Sequence, residues 1–213
     1  TALLINTFKD MALNVVAAIP NRIEDGYGLN RKMVSYLADM GVNLVITVDN
    51  GVNAFDAINL ANNLGIDVII TDHHEIKGDP PKSLALIHPV NTPKNSEYRN
   101  LAGVGLAYIL AYSLALKINK QSSLKIALDL FCIGTIADMA PVTGFNRYML
   151  KKGLCRIHLS QCVGLQSLYK LCGISNNGIT AHDISFQIAP RINAVGRIGD
   201  PELILKLFTE EDS

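Results

Sequence analysis

Four short, mostly apolar runs punctuate the first ninety residues: Leu13 to Ile19, Val42 to Val48, Asp67 to Ile70 and Leu84 to Ile87. Each is too short for a helix and is bounded by Pro, Gly or polar residues, which reads as a buried strand. Between them the period changes to that of a helix. Leu3, Leu4, Thr7, Phe8 and Met11 fit one helical face. Asn30 is placed to cap a helix running to about Met40, and Asn53 to Leu64 is helical with Gly65 as its stop. Strand–helix–strand alternation at this spacing predicts an α/β fold, a parallel sheet flanked by helices and joined by right-handed crossovers.

After Arg99 the pattern becomes helical. Leu101 to Ile118, Ser123 to Ala137, Phe145 to Ile157 and Leu165 to Leu171 all read as helices. Thr180-Ala181-His182-Asp183 has the capping-box form, with Asp in place of the longer Glu. Pro190 is expected to end the helix that follows, leaving Arg191 to Arg197 as a loop, and Pro201 to Phe208 is a last short helix. With no repeats, low-complexity tracts or linkers, residues 1–213 read as one domain, an α/β part over about 1–100 and a helical part over about 101–213.

Composition narrows the function classes. Hydrophobic residues are 49% and charged residues 18%, which excludes disorder. Lys+Arg and Asp+Glu are both 19, so no global charge points to nucleic acid or membrane, although a local basic patch is compatible. Arg147, Lys151, Lys152 and Arg156 form such a patch; they read either as a solvated face or as a phosphodiester track. Cys132, Cys155, Cys162 and Cys172 contain no C-x-x-C pair, so reduced thiols in core or incidental positions are expected. The uncharged stretch Leu101 to Leu116 has 16 residues, short of the roughly 20 that span a bilayer, so no membrane partner is expected. The expected compartment is the cytoplasm. The chain starts without Met inside an amphipathic helix, which reads as a piece of a longer protein.

In an open parallel sheet, ligands bind beyond the carboxyl ends of the strands. Here those ends lead into Asn21-Arg22-Ile23-Glu24-Asp25-Gly26, Asp49-Asn50-Gly51 and Thr71-Asp72-His73-His74-Glu75. Acids, imidazoles and an arginine are therefore expected on one edge. Asp72-His73-His74 suits a divalent cation, since carboxylates hold hard ions and imidazole shifts preference toward Mn²⁺; the competing reading is a solvated loop. Asp49 is either a second metal carboxylate or the cap of the helix that starts near Asn53. Asp138 is either a polar helix terminus or a carboxylate supplied by the helical part. Gly103 and Gly105 open an apolar helix, leaving room either for phosphate at the backbone N–H groups or for close packing. Arg191, Asn193 and Arg197 offer forks for phosphate oxygens, or a solvated loop. His88, His158 and His182 show no partner spacing and read as structural.

These segments resemble the motifs of the DHH phosphoesterase superfamily. Thr71 to Glu75 is similar to the signature that names it. Pro20 to Leu29, Val48 to Gly51, Leu101 to Gly105, Gly134 to Asp138 and Arg191 to Arg197 resemble, in the same order, motifs of its branch that digests single-stranded DNA. The resemblance implies a two-ion Mn²⁺ or Mg²⁺ site that hydrolyses phosphodiesters of single-stranded DNA 5′ to 3′, in repair and recombination. It implies Asp49 as the bridging ligand, His73 and Asp138 as direct ligands, and His74 at the scissile phosphate or the metal. Asp72 would orient an imidazole or lie near the metal. Arg22, Gly103, Gly105, Arg191, Asn193 and Arg197 would hold DNA phosphates or shape their channel. Single-strand-binding protein and a helicase are the protein partners it suggests.

Two departures stand out. The superfamily's first motif, Asp-x-Asp-Ala-Asp-Gly, does not occur in these 213 residues, and the second domain of relatives is not represented. The chain by itself is therefore expected to bind metal weakly and to be inactive. At His88-Pro89, relatives often carry Asn-Pro. Two further readings compete: a phosphoesterase acting on short oligonucleotides, cyclic dinucleotides or pyrophosphate, and a non-catalytic scaffold.

Overall fold

The structure, a computed structural model, describes residues 1–20, 26–174 and 178–210, with the side chains of Arg197 and Ile198 excepted. Strands β1 (Leu44–Val48), β2 (Asp67–Thr71) and β3 (Ala85–Ile87) form a parallel sheet in the order β1-β2-β3. The register pairs Leu44 with Asp67 and Val48 with Thr71, so both strands end level. Helices α2 (Arg31–Asp39) and α3 (Phe55–Asn63) belong to this part, whereas α1 (Ala2–Asp10), although first in the chain, packs its Leu3, Leu4 and Phe8 into the core of the helical part. As the sequence suggests, Asn30 caps α2 by accepting a hydrogen bond from the Met33 N–H.

Strand alternation divides the sheet between two cores. Val45, Val68 and Ile70 pack with Val34 and Leu37 of α2 and Ile58 and Ala61 of α3. Ile46, Val48 and Ile87 face the opposite way, toward the core of the helical part.

That helical part contains α4 (Gly103–Lys117), α5 (Ala127–Ala137), α6 (Gly144–Leu154), α7 (Val163–Leu171), α8 (Ala181–Asp183), α9 (Ala189–Ile198) and α10 (Pro201–Thr209). Helix α5 is apolar all round because it lies inside, buried along nearly its whole length against α1, α4 and α6. Its Gly134 lets α4 approach closely: a β-carbon there would collide with the Val104 side chain. No helix among the described residues is long and apolar enough to cross a membrane. The four cysteines are free, with Cys132 and Cys162 buried.

Three expectations need correction. Leu13 to Ile19 forms no strand. Val15, Ala17 and Ile19 are half-buried while Leu13 and Val16 face solvent, so the alternation is present. Among the described residues, however, no neighbouring strand pairs with this run, and periodicity alone reports burial rather than pairing. Second, Pro190 does not end its helix. A π turn, Ile184–Ile188, joins α8 to α9 and opens the backbone where the proline ring would meet the carbonyl four residues back. Third, and in consequence, Arg191 to Arg197 is helical, not a loop. Two long helical readings also break near their ends: a 3-10 turn, Gln121–Leu124, precedes α5, and another, Ile157–Leu159, follows α6.

Candidate active site

The carboxyl ends of β1 and β2 carry the site. Because Val48 and Thr71 are paired, the residues that follow them, Asp49 and Asp72, leave the sheet side by side. The ladder extends one step further, with the Asp49 N–H donating to the Thr71 carbonyl and the Asp72 N–H to that of Ile87. Asp49 then turns into the left-handed region, φ +63°, unusual for a residue with a side chain. This backbone strain is typical of functional positions. Three contacts hold the turn. The Tyr27 hydroxyl donates to the Asp49 carbonyl (2.7 Å), the Asn50 side chain donates to the Val48 carbonyl (2.9 Å), and it accepts from the Leu29 N–H (3.1 Å).

Asp72 is almost fully buried and does not face the opening. Its Oδ1 accepts from the N–H groups of His73 (2.8 Å) and His74 (3.2 Å) and meets His74 Nδ1 at 2.6 Å. Its Oδ2 accepts from the Val52 N–H at 3.1 Å. Burial acts to raise the Asp72 pKa, but the hydrogen bonds from the His74 ring, Val52 and the His74 backbone outweigh it and hold the carboxyl below its usual range. Asp72 therefore keeps His74 Nδ1 occupied and leaves Nε2 for a ligand, the arrangement in which a carboxylate sets the tautomer of a metal-binding histidine.

His73 points the other way, into the opening. Its Nε2 lies 3.0 Å from Asp49 Oδ1 and 3.8 Å from Asp138 Oδ2. Asp49 Oδ1 and His73 Nε2 are both buried atoms with no aligned hydrogen-bond partner. The Asp49 carboxylate raises the His73 pKa against the opposing effect of burial, with Asp138 adding to the rise. Burial raises the Asp138 pKa; His73 opposes that shift and Asp49 adds to it. Two buried, unsatisfied ligand atoms aimed at each other are the environment a cation relieves. Ligand atoms of Asp49, His73 and His74 all lie within 4.8 Å of one another, a set that fits a divalent ion.

Asp138 arrives from the helical part, at the C-cap of α5, where its N–H donates to the Gly134 carbonyl. Gly103, the first residue of α4, lies directly against Asp49; a β-carbon there would collide with the carboxylate. The α4 N-terminus thus presents its positive dipole end to that carboxylate. Gly105 is buried and faces Leu101, a packing position. Arg191 and Asn193 are exposed on α9, and the Arg191 guanidinium donates to the Gln187 carbonyl at 2.6 Å. Arg22 and the side chain of Arg197 lie outside the described residues.

Sequence reasoning missed three supports: Tyr27, Asn50 and His88. His88 accepts from the Val90 N–H through Nδ1 (3.1 Å), capping the turn Pro89–Asn91, and its Nε2 contacts the His74 carbonyl at 2.9 Å. An imidazole can do both where an Asn would do only the capping. The position of His88-Pro89 just past the fourth apolar run, Leu84 to Ile87, was the available signal. His158 and His182 take no part; the His182 ring instead packs on Phe186.

Known proteins resemble this chain in sequence and in fold. Residues 1–135 match the DHH family, N-terminal domain. The single-stranded-DNA-specific exonuclease RecJ of Bacillus subtilis (strain 168) is 37% identical over 213 residues, 100% of this chain and 26% of that protein. A crystal structure of exonuclease RecJ bound to manganese matches with a TM-score of 0.90 at 36% identity, covering 100% of this chain and 53% of that one. RecJ from Thermus thermophilus in complex with Mn²⁺ matches with a TM-score of 0.84 at 33% identity, covering 99% and 30%. The chain spans about a quarter of the length of its Bacillus relative. By the match over residues 1–135 and these relatives, the chain belongs to the DHH family.

Proposed function

We propose that this chain carries much of the catalytic site of a metal-dependent exonuclease that hydrolyses single-stranded DNA from the 5′ end. The observation that carries this reading is the convergence of Asp49, His73, His74 and Asp138, with Asp49 Oδ1 and His73 Nε2 buried and unsatisfied. Bound Mn²⁺ or Mg²⁺ would make hydroxide available near neutral pH and offset the charge that grows on the phosphoryl oxygens.

The chain's own residues divide the work. Asp49, held in place by its strained turn, by Gly103 and by the α4 N-terminus, would be the carboxylate that the ions share. His73 and Asp138, whose ligand atoms lie 3.8 Å apart, would be direct ligands of a bound ion. His74, oriented by Asp72 and anchored at its carbonyl by His88, offers Nε2 to metal or to the scissile phosphate. Arg191 and Asn193 lie on one exposed helix, and together with Arg22 and Arg197 they are the proposed phosphate grips. The domain reading follows: residues 1–213 are one DHH phosphoesterase domain with an α/β part and a helical part. A single-strand-binding protein and a helicase are its proposed protein partners.

The test is Asp49→Ala in the full-length protein, with Mn²⁺ and labelled single-stranded DNA. Hydrolysis is expected to fall by about 10³-fold, the scale seen when a group that stabilises developing charge is removed. The 213-residue chain alone is expected to show negligible hydrolysis, because the Asp-x-Asp-Ala-Asp-Gly motif that the resemblance implies for the two-ion site does not occur in it. Unchanged activity of Asp49→Ala would overturn the assignment. A preference for dinucleotides over long strands would favour a short-oligonucleotide phosphoesterase.

A further inference from the structure

The charges of this neutral chain are unevenly placed. Between Asp138 and Asp183 the sequence holds no Asp or Glu, yet it contains Arg147, Lys151, Lys152, Arg156 and Lys170. Three of these cations, Arg147, Lys151 and Lys152, are exposed on one side of α6, and among the described residues none of the three is held in an ion pair. Arg156 differs, since its charge acts on the buried carboxyl of Asp129, opposing the rise in its pKa that burial causes. Arg147 and Lys151 are one turn apart, about 6 Å along the axis, comparable with the repeat of an extended single strand.

Aromatic rings surface beside these cations. Tyr148, 63% exposed, lies between them on α6 and is close enough to Tyr108 to help raise its pKa, an effect led by burial. Tyr108 stacks on the exposed Tyr112 with ring centroids 6.0 Å apart and planes 11° apart. The exposed Tyr98 packs on Phe145 at 5.0 Å, and Phe131 connects both groups from below. A rigid tyrosine-bearing surface next to unpaired cations is the combination that holds single strands without reading their sequence.

The start of α6 is also tethered to chain segments that adjoin the site. Asn146 donates to the carbonyls of Asn100 (2.7 Å) and Pro141 (3.0 Å). Asn100 lies three residues before Gly103, and Pro141 three after Asp138. The first turn of α6 is thereby tied to both segments that meet at the site. The acid at this near end is Glu97, whose carbonyl accepts from the Phe145 N–H.

We propose that the outer face of α6, with Arg147, Lys151 and Lys152 for phosphates and Tyr148 as a stacking platform, is an auxiliary track for single-stranded nucleic acid leading away from the cleavage site. It rests on the reading of the site as a nuclease acting on single strands, and it adds the path of the strand beyond the reacting phosphate.

The test uses the full-length protein and fluorescein-labelled oligothymidylates of increasing length, with chelator present so that binding is read without hydrolysis. The variant R147A/K151A/K152A is expected to weaken binding of long oligomers at least tenfold. It should reduce the salt slope of log K by about 2, at about 0.7 for each phosphate no longer neutralised. Tyr148→Ala should weaken binding about fivefold or more. The charge-retaining R147K/K151R/K152R should keep the slope, which separates the removal of charge from misfolding. With Mn²⁺, the alanine variant should raise KM for long strands and leave kcat on a dinucleotide unchanged. Wild-type affinity and slope in the alanine variant would overturn the track, whatever Asp49→Ala shows. Loss of binding to an Asp-rich peptide, with oligomer binding intact, would overturn it too and assign the face to an acidic protein partner. Failure of the nuclease reading is visible separately, as undiminished hydrolysis by Asp49→Ala.

Discussion

The two parts of this molecule bring residues to one place by different means. In the α/β part, Asp49, Asp72, His73 and His74 follow strands paired in register, so the hydrogen-bond ladder itself sets the carboxylates side by side. In the helical part, Asp138 reaches the same opening only because α5 crosses α4 closely at Gly134. A ladder fixes position to within one residue, because a slip of one reverses every side chain. A helix crossing fixes it through side-chain volumes, which vary continuously. The first kind of placement is robust and local. The second depends on how α4 and α5 pack where they cross.

That contrast is testable by mutation. The largest expected effect comes from the helical core away from the site. Leu165 of α7 is fully buried, and Leu165→Ala should cost about 2–5 kcal/mol of stability by urea unfolding. Metal affinity of the folded fraction, measured by calorimetry, should stay unchanged. A parallel loss of affinity would mean that α7 helps position Asp138, and the two parts would be less separable than the geometry suggests.

Gly103→Ala acts where the two parts meet. A β-carbon there collides with Asp49, and overpacking of this kind costs about 1–3 kcal/mol. The loss should appear in metal affinity, since the displaced group is the carboxylate itself. A variant that binds Mn²⁺ like the parent would place the Asp49 side chain elsewhere.

Asp72→Asn probes the α/β part alone. One oxygen becomes an amide, and each carboxylate oxygen now faces an N–H donor, so the amide must oppose either Val52 or His74. His74 keeps at best a neutral amide oxygen in place of the carboxylate that fixes its ring. Metal affinity should fall by about tenfold to a hundredfold, the usual effect of removing a residue that orients a ligand. Equal affinity in the variant would mean that Nδ1 orientation does not matter to the ion.

How much of this was visible in the sequence follows the same division. The strands β1 and β2, the α3 crossover and the Asp72-His73-His74 turn were legible, because apolar runs and turn residues are local signals. The third strand and the cap at Asn30 were legible too. Leu13 to Ile19 misled because burial and pairing share one pattern, and pairing needs a neighbour that no local window contains. Pro190 misled because a π turn two residues upstream changes what a proline costs, and nothing in Ile184 to Ile188 announces that turn. The site's supports were hidden for a related reason. Tyr27 reaches Asp49 across 22 residues and His88 reaches His74 across 14, so their roles exist only in three dimensions.

The smallest expected effect lies at the capping box that opens α8. The Asp183 N–H donates to the Thr180 hydroxyl oxygen (3.2 Å), and the Thr180 N–H donates back to Asp183 Oδ2 (2.9 Å). Thr180→Ala should cost about 1 kcal/mol by urea unfolding. The pH dependence has a defined sign. The Thr180 hydroxyl, then its backbone N–H, hold the Asp183 carboxyl below its usual range. A depressed folded-state pKa contributes stability above the unfolded value of about 4, lost as pH falls through the folded pKa. The gap between parent and Thr180→Ala should therefore be full at pH 7 and narrow in more acidic solution. A constant gap down to pH 2 would assign the whole effect to the hydroxyl's bond to the backbone. Mn²⁺ affinity should not change in this variant, because α8 supplies no ligand; any change would show that the π-bent helix carrying Arg191 and Asn193 is coupled to the cation site after all.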